Sequence, residues 1–297
     1  MNELNDAGVW EQAWRERGER VREKQAKAGI LPSRAFDDKA DTFNESSFSE
    51  EGRRRSQRIL GWLEGQGVDF AGLSVLDVGA ASGVFTVPMI ERGAVVTAVE
   101  SSPPQVRLLK ENAARAGGAA LQVAAEPFEE IDVRERGWEG AFDLVFVSMC
   151  PVLHDWSAVE KILSCAKEYA YISLPASNGG HSLAEEIWPL VTGQPLHGGL
   201  HAEMGFLQHL LYLKGYAYHS LVTRESKLVE MTREEAMTEM KTLLKWRGIA
   251  VDEGMERTIA DHLEQAYPSG PVSVRQGGRF GKVLVQLGDE RMREQAR

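Results

Sequence analysis

The feature that most constrains this 297-residue chain is a short, largely apolar run that ends in a turn of small residues. Residues 75–78 are typical of a buried strand in a parallel sheet, and the turn at residues 79–83 follows directly. Apolar residues then recur at the spacing of a helix that packs on a sheet. Strand, glycine turn and helix form the first unit of a doubly wound fold, in which glycine lets a ligand approach the backbone. The helix N-terminus offers unpaired N–H groups at the same place.

The spacing of the glycines discriminates between classes of nucleotide-binding loop. A dinucleotide loop reads Gly-x-Gly-x-x-Gly, but counted from Gly79 the second and third glycine positions hold Ala81 and Val84. A phosphate-binding P-loop requires Gly-Lys-Ser/Thr, which is absent from this turn. The register acid-x-Gly-x-Gly-x-Gly fits from Asp77 to Gly83, with alanine in place of the middle glycine. Alanine fits such a position if its backbone φ angle is negative.

A second apolar strand, residues 94–99, ends in Glu100. An acid at this point is placed to accept hydrogen bonds from both ribose hydroxyls of a bound nucleoside. Ser101 or Ser102, followed by two prolines, predicts the start of the next helix. Together the two motifs resemble those of class I S-adenosylmethionine (SAM)-dependent methyltransferases.

The resemblance implies both the fold and the cofactor. The expected fold is α/β, with a doubly wound, mostly parallel seven-stranded sheet, helices on both faces and an antiparallel last strand inserted beside the fifth. The expected cofactor is S-adenosyl-L-methionine. The residues that the resemblance assigns to cofactor binding are Asp77, Gly79, Ala81, Gly83, Glu100, Ser101, Glu126 and Ser148. Glu126 follows a predicted third strand at 119–124, and Ser148 follows a fourth at 142–147.

The flanking segments predict additions to this domain. Residues 11–27 predict a charged surface helix, and residues 36–43 resemble the segment that folds over the cofactor in many small-molecule methyltransferases. We therefore expect residues 1–48 to form an N-terminal helical extension or lid, with Phe36, Ala40 and Phe43 as its contacts. Residues 49–297 would form the methyltransferase domain. A helical insertion around 227–268 would separate the sixth strand, at 216–222, from the last, at 281–287.

The acceptor side is expected just beyond the fourth strand, because ligands of open α/β sheets bind outside the carboxyl ends of the strands. His154, beside Asp155, is the first candidate for a general base, since histidine titrates near neutral pH. The alternative is that His154 caps or packs on the next helix. Cys150, His181 and His201 are candidates for substrate contact.

We predict no metal site in this chain. His197 and His201 have helical i, i+4 spacing, but two glycines lie between them. Methyl transfer from a sulfonium is a direct displacement that needs no catalytic triad.

Bulk composition limits the choice of partner. The net charge of −10 argues against non-specific binding to a nucleic-acid backbone, and Arg53–Arg55 with Arg58 form the one basic cluster of note. Two cysteines exclude a disulfide framework. No apolar run approaches the ~20 residues of a membrane span, and the polar N-terminus does not resemble a signal peptide, so we expect a soluble, cytoplasmic protein.

The function that these features favour is SAM-dependent methylation of a small-molecule acceptor. Two alternatives stay open: a methyltransferase that acts on tRNA or protein, and a non-catalytic SAM-binding protein. A broad basic face beside the cleft would favour the first, and a cleft plugged by side chains the second. An NAD-dependent dehydrogenase is disfavoured by the glycine pattern, and the sequence does not specify the acceptor or the oligomeric state.

Overall fold

Seven strands form one mixed sheet in the part of the chain that this computed structural model describes. The described residues are 3–27, 29, 31, 34, 37–117, 121–177, 180–196 and 203–288. The strands are β1 (Ser74–Val78), β2 (Val95–Val99), β3 (Leu121–Ala124), β4 (Phe142–Ser148), β5 (Ala166–Ser177), β6 (Ala217–Met231) and β7 (Val272–Gln286).

Helices alternate with the strands along the chain. They are α1 (Ala7–Lys27), α2 (Ala40–Phe48), α3 (Glu50–Gly65), α4 (Thr86–Glu91), α5 (Pro103–Arg115), α6 (Trp156–Cys165), α7 (Ser182–Thr192), α8 (Glu203–Leu213), α9 (Arg233–Trp246) and α10 (Glu253–Ala266). Among the described residues, no helix is both long enough and apolar enough to cross a membrane.

The strand order is β3-β2-β1-β4-β5-β7-β6, with β7 antiparallel to both of its neighbours and the other pairs parallel. Val78, at the end of β1, lies opposite Val99 of β2 and Val147 of β4. The carboxyl ends of these three strands therefore meet at one edge of the sheet, which confirms the predicted fold.

Apolar side chains cover both faces of the sheet. On one face Trp14 of α1 is buried with residues of α6 and α8, and on the other Leu60 of α3 and Met89 of α4 are buried against Phe146. The Phe146 ring stacks on Tyr171 of β5 with centroids 4.5 Å apart. Continuous apolar runs in β1, β2 and β4 follow from this burial on both faces.

A second core lies beside the main one and differs from the sequence prediction. Strands β6 and β7 stay paired from Ala217–Gln286 out to Met231–Val272, well past the predicted end of the sixth strand at Val222. Residues 227–231, expected within a helical insertion, are therefore strand, and the two helices of the insertion are α9 and α10. Residues 223–230 are held by hydrogen bonds to β7 rather than by burial. Their sequence therefore lacks the alternation of apolar and polar residues that would predict a strand. The second core consists of residues from this hairpin and from α7, α9 and α10, including Leu183, Met231, Met240, Ile259 and Val272.

Candidate functional site

A cavity of about 370 Å³ lies where the carboxyl ends of β1, β2 and β4 meet. Its volume is within the range of roughly 300–1,000 Å³ that small-molecule sites occupy. The lining residues are Phe43, Val78, Gly79, Ala81, Val99, Glu100, Ser101, Ser102, Gln105, Glu126, Pro127, Phe128, Glu129, Ser148, Met149, Cys150, Pro151 and Val152.

The floor of the cavity is the turn after β1. Gly79 has a φ of +76°, and a Cβ placed there would lie 2.5 Å from the Cys150 sulfur, so this position requires glycine. Ala81 also has a positive φ, of +49°. The condition set from the sequence, a negative φ at this alanine, is therefore not met. The Ala81 N–H instead donates to Glu100 Oε2 at 2.8 Å, which holds the strained backbone in place.

Glu100 is the ionisable group at the centre of the site. Its other oxygen, Oε1, accepts from the Ser102 N–H at 2.8 Å. Burial raises the pKa of the Glu100 carboxyl, and the N–H donors of Ser102 and Ala81 oppose that rise. An ionised carboxylate offers about four acceptor positions. Two of these accept the hydrogen bonds from Ala81 and Ser102, and the Ser101 N–H also faces the carboxylate, so only the remaining acceptor capacity is left for hydroxyl donors in the cavity.

Asp77 and Gly83, both assigned to the cofactor from the sequence, do not line the cavity. The Asp77 carboxylate is buried and accepts from Thr86 Oγ1 at 2.6 Å, which ties β1 to the start of α4. Burial raises the pKa of Asp77 to about 7. A Cβ at Gly83 would lie 2.9 Å from Leu109 Cδ1, so this glycine permits close packing of α5. Both residues therefore hold the conformation of the glycine turn from outside the cavity.

The N-terminal segment contributes to the wall of the cavity. Phe43 of α2 lines it, and Asp37 Oδ1 accepts from Ser102 Oγ at 2.5 Å. Ala40 is buried, whereas Phe36 lies outside the described residues. Glu126 lines the β3 side of the cavity and pairs with Arg136.

Two lining side chains were missed from the sequence. Gln105 is buried, and its Oε1 has no hydrogen-bond partner among the described residues. Its place three residues after Ser102, on the first turn of α5, was the available signal. Glu129 lies in a short 3-10 turn, Phe128–Glu130, which the sequence pattern did not indicate.

Of the acceptor-side candidates, only Cys150 joins Ser148 at the cavity. Burial raises the pKa of the Cys150 thiol to about 12, so it stays protonated near neutral pH and is a poor nucleophile. His201 lies outside the described residues. Among those residues, no group of three or more His, Cys, Asp or Glu side chains is arranged to hold a metal ion.

His154 and His181 both lie away from the cavity. The His154 ring lies 3.5 Å from Asp155 Oδ2, and its carbonyl abuts Gly18 of α1. The His181 Nδ1 accepts from the Ala184 N–H at 3.1 Å and caps α7, while its Nε2 lies 3.0 Å from a Glu239 oxygen. Neither histidine is among the residues that line the cavity, so their assignment as base and substrate contact stays a prediction.

Comparison with known families agrees with the site. A family model described as a methyltransferase domain matches residues 75–169, from β1 to β5. This chain carries a class I SAM-dependent methyltransferase domain. The matched part of the methyltransferase includes the glycine turn, Glu100, Glu126 and Ser148. No curated protein matches the sequence significantly.

Several solved structures are similar to this methyltransferase at low identity. Magnesium protoporphyrin IX methyltransferase from Synechocystis PCC 6803, with bound SAH, is 18% identical, with a TM-score of 0.45, and the alignment covers 59% of this chain and 77% of that one. The YcgJ protein from Bacillus subtilis is 13% identical, with a TM-score of 0.49, and the alignment covers 78% of this chain and 100% of that one. A candidate RNA methyltransferase from Pyrococcus horikoshii is 14% identical, with a TM-score of 0.44, and the alignment covers 79% of this chain and 85% of that one. At these levels none of them identifies the methyl acceptor.

Proposed function

We propose that this methyltransferase binds SAM in the cavity beside Glu100 and transfers the methyl group to a small-molecule acceptor. The observation that carries the proposal is the Glu100 carboxylate, held by two backbone N–H groups at the edge of a cavity of about 370 Å³. The residues fit the cofactor, since the absence of a Cβ at Gly79 makes room for the Cys150 side chain, and both residues line the cavity. Residues 1–48 would form the cover and residues 49–297 the domain that carries out transfer.

Each part of the cavity would hold a different part of the cofactor. Glu100 would accept hydrogen bonds from the ribose hydroxyls, while Ser101, Glu126 and Phe128 would surround the base. Gly79 and Ala81 would face the amino-acid end, and Ser148 would contact the cofactor near the end of β4. Asp77 and Gly83 would act only by holding the turn.

When bound, SAM supplies an already activated methyl group on a sulfonium, so the protein has to align the reactants and exclude water. Phe43, from the covering segment, would keep water out of the cavity. Ser148, Met149 and Cys150 would form the wall of the cavity on the acceptor side. No lining residue among those described is a histidine or a lysine. If the acceptor has to lose a proton, the lining carboxylates of Glu126 and Glu129 would be the groups that could accept it.

The basic cluster of α3 supports a small acceptor rather than a nucleic acid. Arg53 donates to the Phe48 carbonyl, and Arg54 pairs with Glu50. Arg58 pairs with Glu225 across the sheet. Two of the four arginines, Arg54 and Arg58, are therefore paired with carboxylates of the chain, which reduces the positive charge available to a phosphate backbone.

The test offers SAM labelled on its methyl group, with a whole-cell extract separated into small molecules, RNA and protein. We expect label in the small-molecule fraction with the wild-type protein and none with Glu100→Ala. Label in the RNA or protein fraction would contradict the small-acceptor proposal. No label in any fraction, despite SAM binding, would favour a non-catalytic SAM-binding protein.

A further inference from the structure

Lys282 of β7 stands out because it is the most deeply buried cation in the described part of the chain. Its residue is 7% exposed, and no other lysine or arginine among the described residues is classed as buried. The ammonium donates to Thr223 Oγ1 at 2.8 Å, and no described carboxylate oxygen lies within 4.0 Å of it. An ammonium has three donors, so a neutral hydroxyl leaves this buried charge largely uncompensated.

The register of the sheet places Lys282 in line with the cofactor cavity. Ser148, which lines the cavity, lies opposite Ser173 of β5, and Ser173 lies opposite Lys282. Residues opposite each other share a face, and strands are about 4.8 Å apart, so the Lys282 backbone lies about 10 Å from that of Ser148. The side chain leans to Thr223, which pairs with Phe280, towards the carboxyl edge where ligands bind.

The charges around Lys282 leave an excess of positive charge at this edge. Glu225 accepts from Thr223 Oγ1 at 3.4 Å, but it also pairs with Arg58 at 3.4 Å. One carboxylate therefore faces two cations, and burial lowers the pKa of Lys282. This local excess contrasts with the net charge of −10 of the whole protein.

We infer that Lys282 binds an anionic oxygen group, a carboxylate or a phosphate, on the methyl acceptor. The inference rests on the proposed function and narrows it to acidic small molecules. The reacting atom of the acceptor would lie beside Ser148 and Cys150, with the acidic group towards β7.

The test measures the binding of simple probes to the full chain loaded with S-adenosylhomocysteine, by ligand-observed NMR titration. The probes are benzoate, phenyl phosphate and the neutral benzyl alcohol. The proteins are wild type, Lys282→Met, and Lys245→Met, which removes the same charge from an exposed position on α9. We expect at least one anionic probe to bind Lys282→Met more than tenfold more weakly than it binds the other two proteins, with benzyl alcohol unchanged. The stronger anion identifies carboxylate or phosphate.

Several outcomes would overturn the inference. Equal binding of both anions to all three proteins, or no binding of either, would contradict it, as would a parallel loss of benzyl alcohol. Lys282→Gln repeats the test if the methionine variant does not give a folded protein by thermal melting. Calorimetry with S-adenosylhomocysteine separates the two proposals, because failure of that ligand to bind the wild type would contradict the proposed function itself. If S-adenosylhomocysteine binds the wild type but Lys282→Met does not weaken the binding of either anion, only the inference about Lys282 is contradicted.

Discussion

Ala81 adopts a left-handed backbone conformation in the middle of the turn that lies under the cofactor cavity. Among the described residues only Ala81 and Met149 have a positive φ without being glycine, and both line the cavity. Strained backbone of this kind persists where the surrounding structure fixes it, and it is concentrated at functional sites. At Ala81 the fixing contact is the hydrogen bond to Glu100.

Replacement of Ala81 by glycine tests that strain. A left-handed alanine costs about 1–2 kcal/mol, and glycine adds about 0.4–1 kcal/mol of unfolded-state entropy. We expect Ala81→Gly to leave the free energy of unfolding unchanged or to raise it by about 1 kcal/mol, measured by urea denaturation. Ala80→Gly, at a neighbouring position without a positive φ, should lower it instead. A loss of stability in Ala81→Gly as large as that in the control would contradict the account.

Asp77 makes stability depend on pH, with a sign fixed by its raised pKa. Burial raises the folded-state pKa from 3.8 to about 7, so the unfolded chain loses its proton first as the pH rises. The free-energy cost of ionising the buried carboxyl is absent below pH 3.8. It grows between pH 3.8 and pH 7 and reaches its full value above pH 7. A shift of this size corresponds to about 4 kcal/mol.

Asp77→Asn should remove this dependence. Relative to wild type, we expect the variant to gain stability between pH 4 and pH 8, up to about 4 kcal/mol, in urea denaturation at both pH values. Asp143→Asn is the control and should show almost no change between these pH values, because Ser74 and Lys167 outweigh burial and lower the pKa of Asp143, so that its titration lies below this range. Parallel pH profiles for Asp77→Asn and wild type would show that Asp77 does not carry the effect.

At the level of elements, the cover over the cavity is tied to α5 by polar contacts. The three pairs are Asp37 with Ser102 at 2.5 Å, Asp41 with Arg107 at 3.3 Å, and Asn44 with Asn112 at 2.7 Å. Asn112 also donates to the Ser82 carbonyl, so the last pair connects the cover to the glycine turn. Because these contacts are between side chains, we expect the cover to open at a lower free-energy cost than the sheet unfolds.

Asn44→Ala should loosen the cover alone. Loss of a hydrogen bond worth about 1 kcal/mol predicts roughly fivefold faster amide exchange in residues 37–48, with β1 and β4 unchanged. Asp41→Ala is the matched control, because its ion pair is exposed and contributes little. Equal effects from the two variants, or faster exchange throughout the sheet, would contradict this role.

Other features of the elements explain what the sequence could and could not predict. Strands β1, β2 and β4 were predictable because both of their faces are buried, which demands continuous apolar runs. The extended hairpin of β6 and β7 was not, because it is held by pairing with polar residues on its exposed face. For the same reason Lys282 could not be singled out: its significance comes from register with Ser173, a residue more than one hundred positions earlier.

At the scale of the whole molecule, the site depends on which way each segment leaves the sheet. Glu100 and Ser148 were predictable because the ends of parallel strands meet at one edge. Proximity to β4 in the sequence did not indicate the surroundings of His154, since the chain lines the cavity as far as Val152 and the His154 carbonyl then lies against Gly18 of α1. The location of His181 depends on the second core, which no local pattern revealed.

Calorimetric titration tests whether Glu100 makes the cavity a SAM site. Wild type, Glu100→Ala and Glu130→Ala would each be titrated with SAM, S-adenosylhomocysteine and NAD. Glu130 is an exposed glutamate outside the cavity lining and matches the change in charge. Loss of two charged hydrogen bonds, about 3 kcal/mol, predicts roughly hundredfold weaker SAM binding in Glu100→Ala and unchanged binding in Glu130→Ala. Equal SAM binding by all three proteins, or binding of NAD in place of SAM, would contradict the claim.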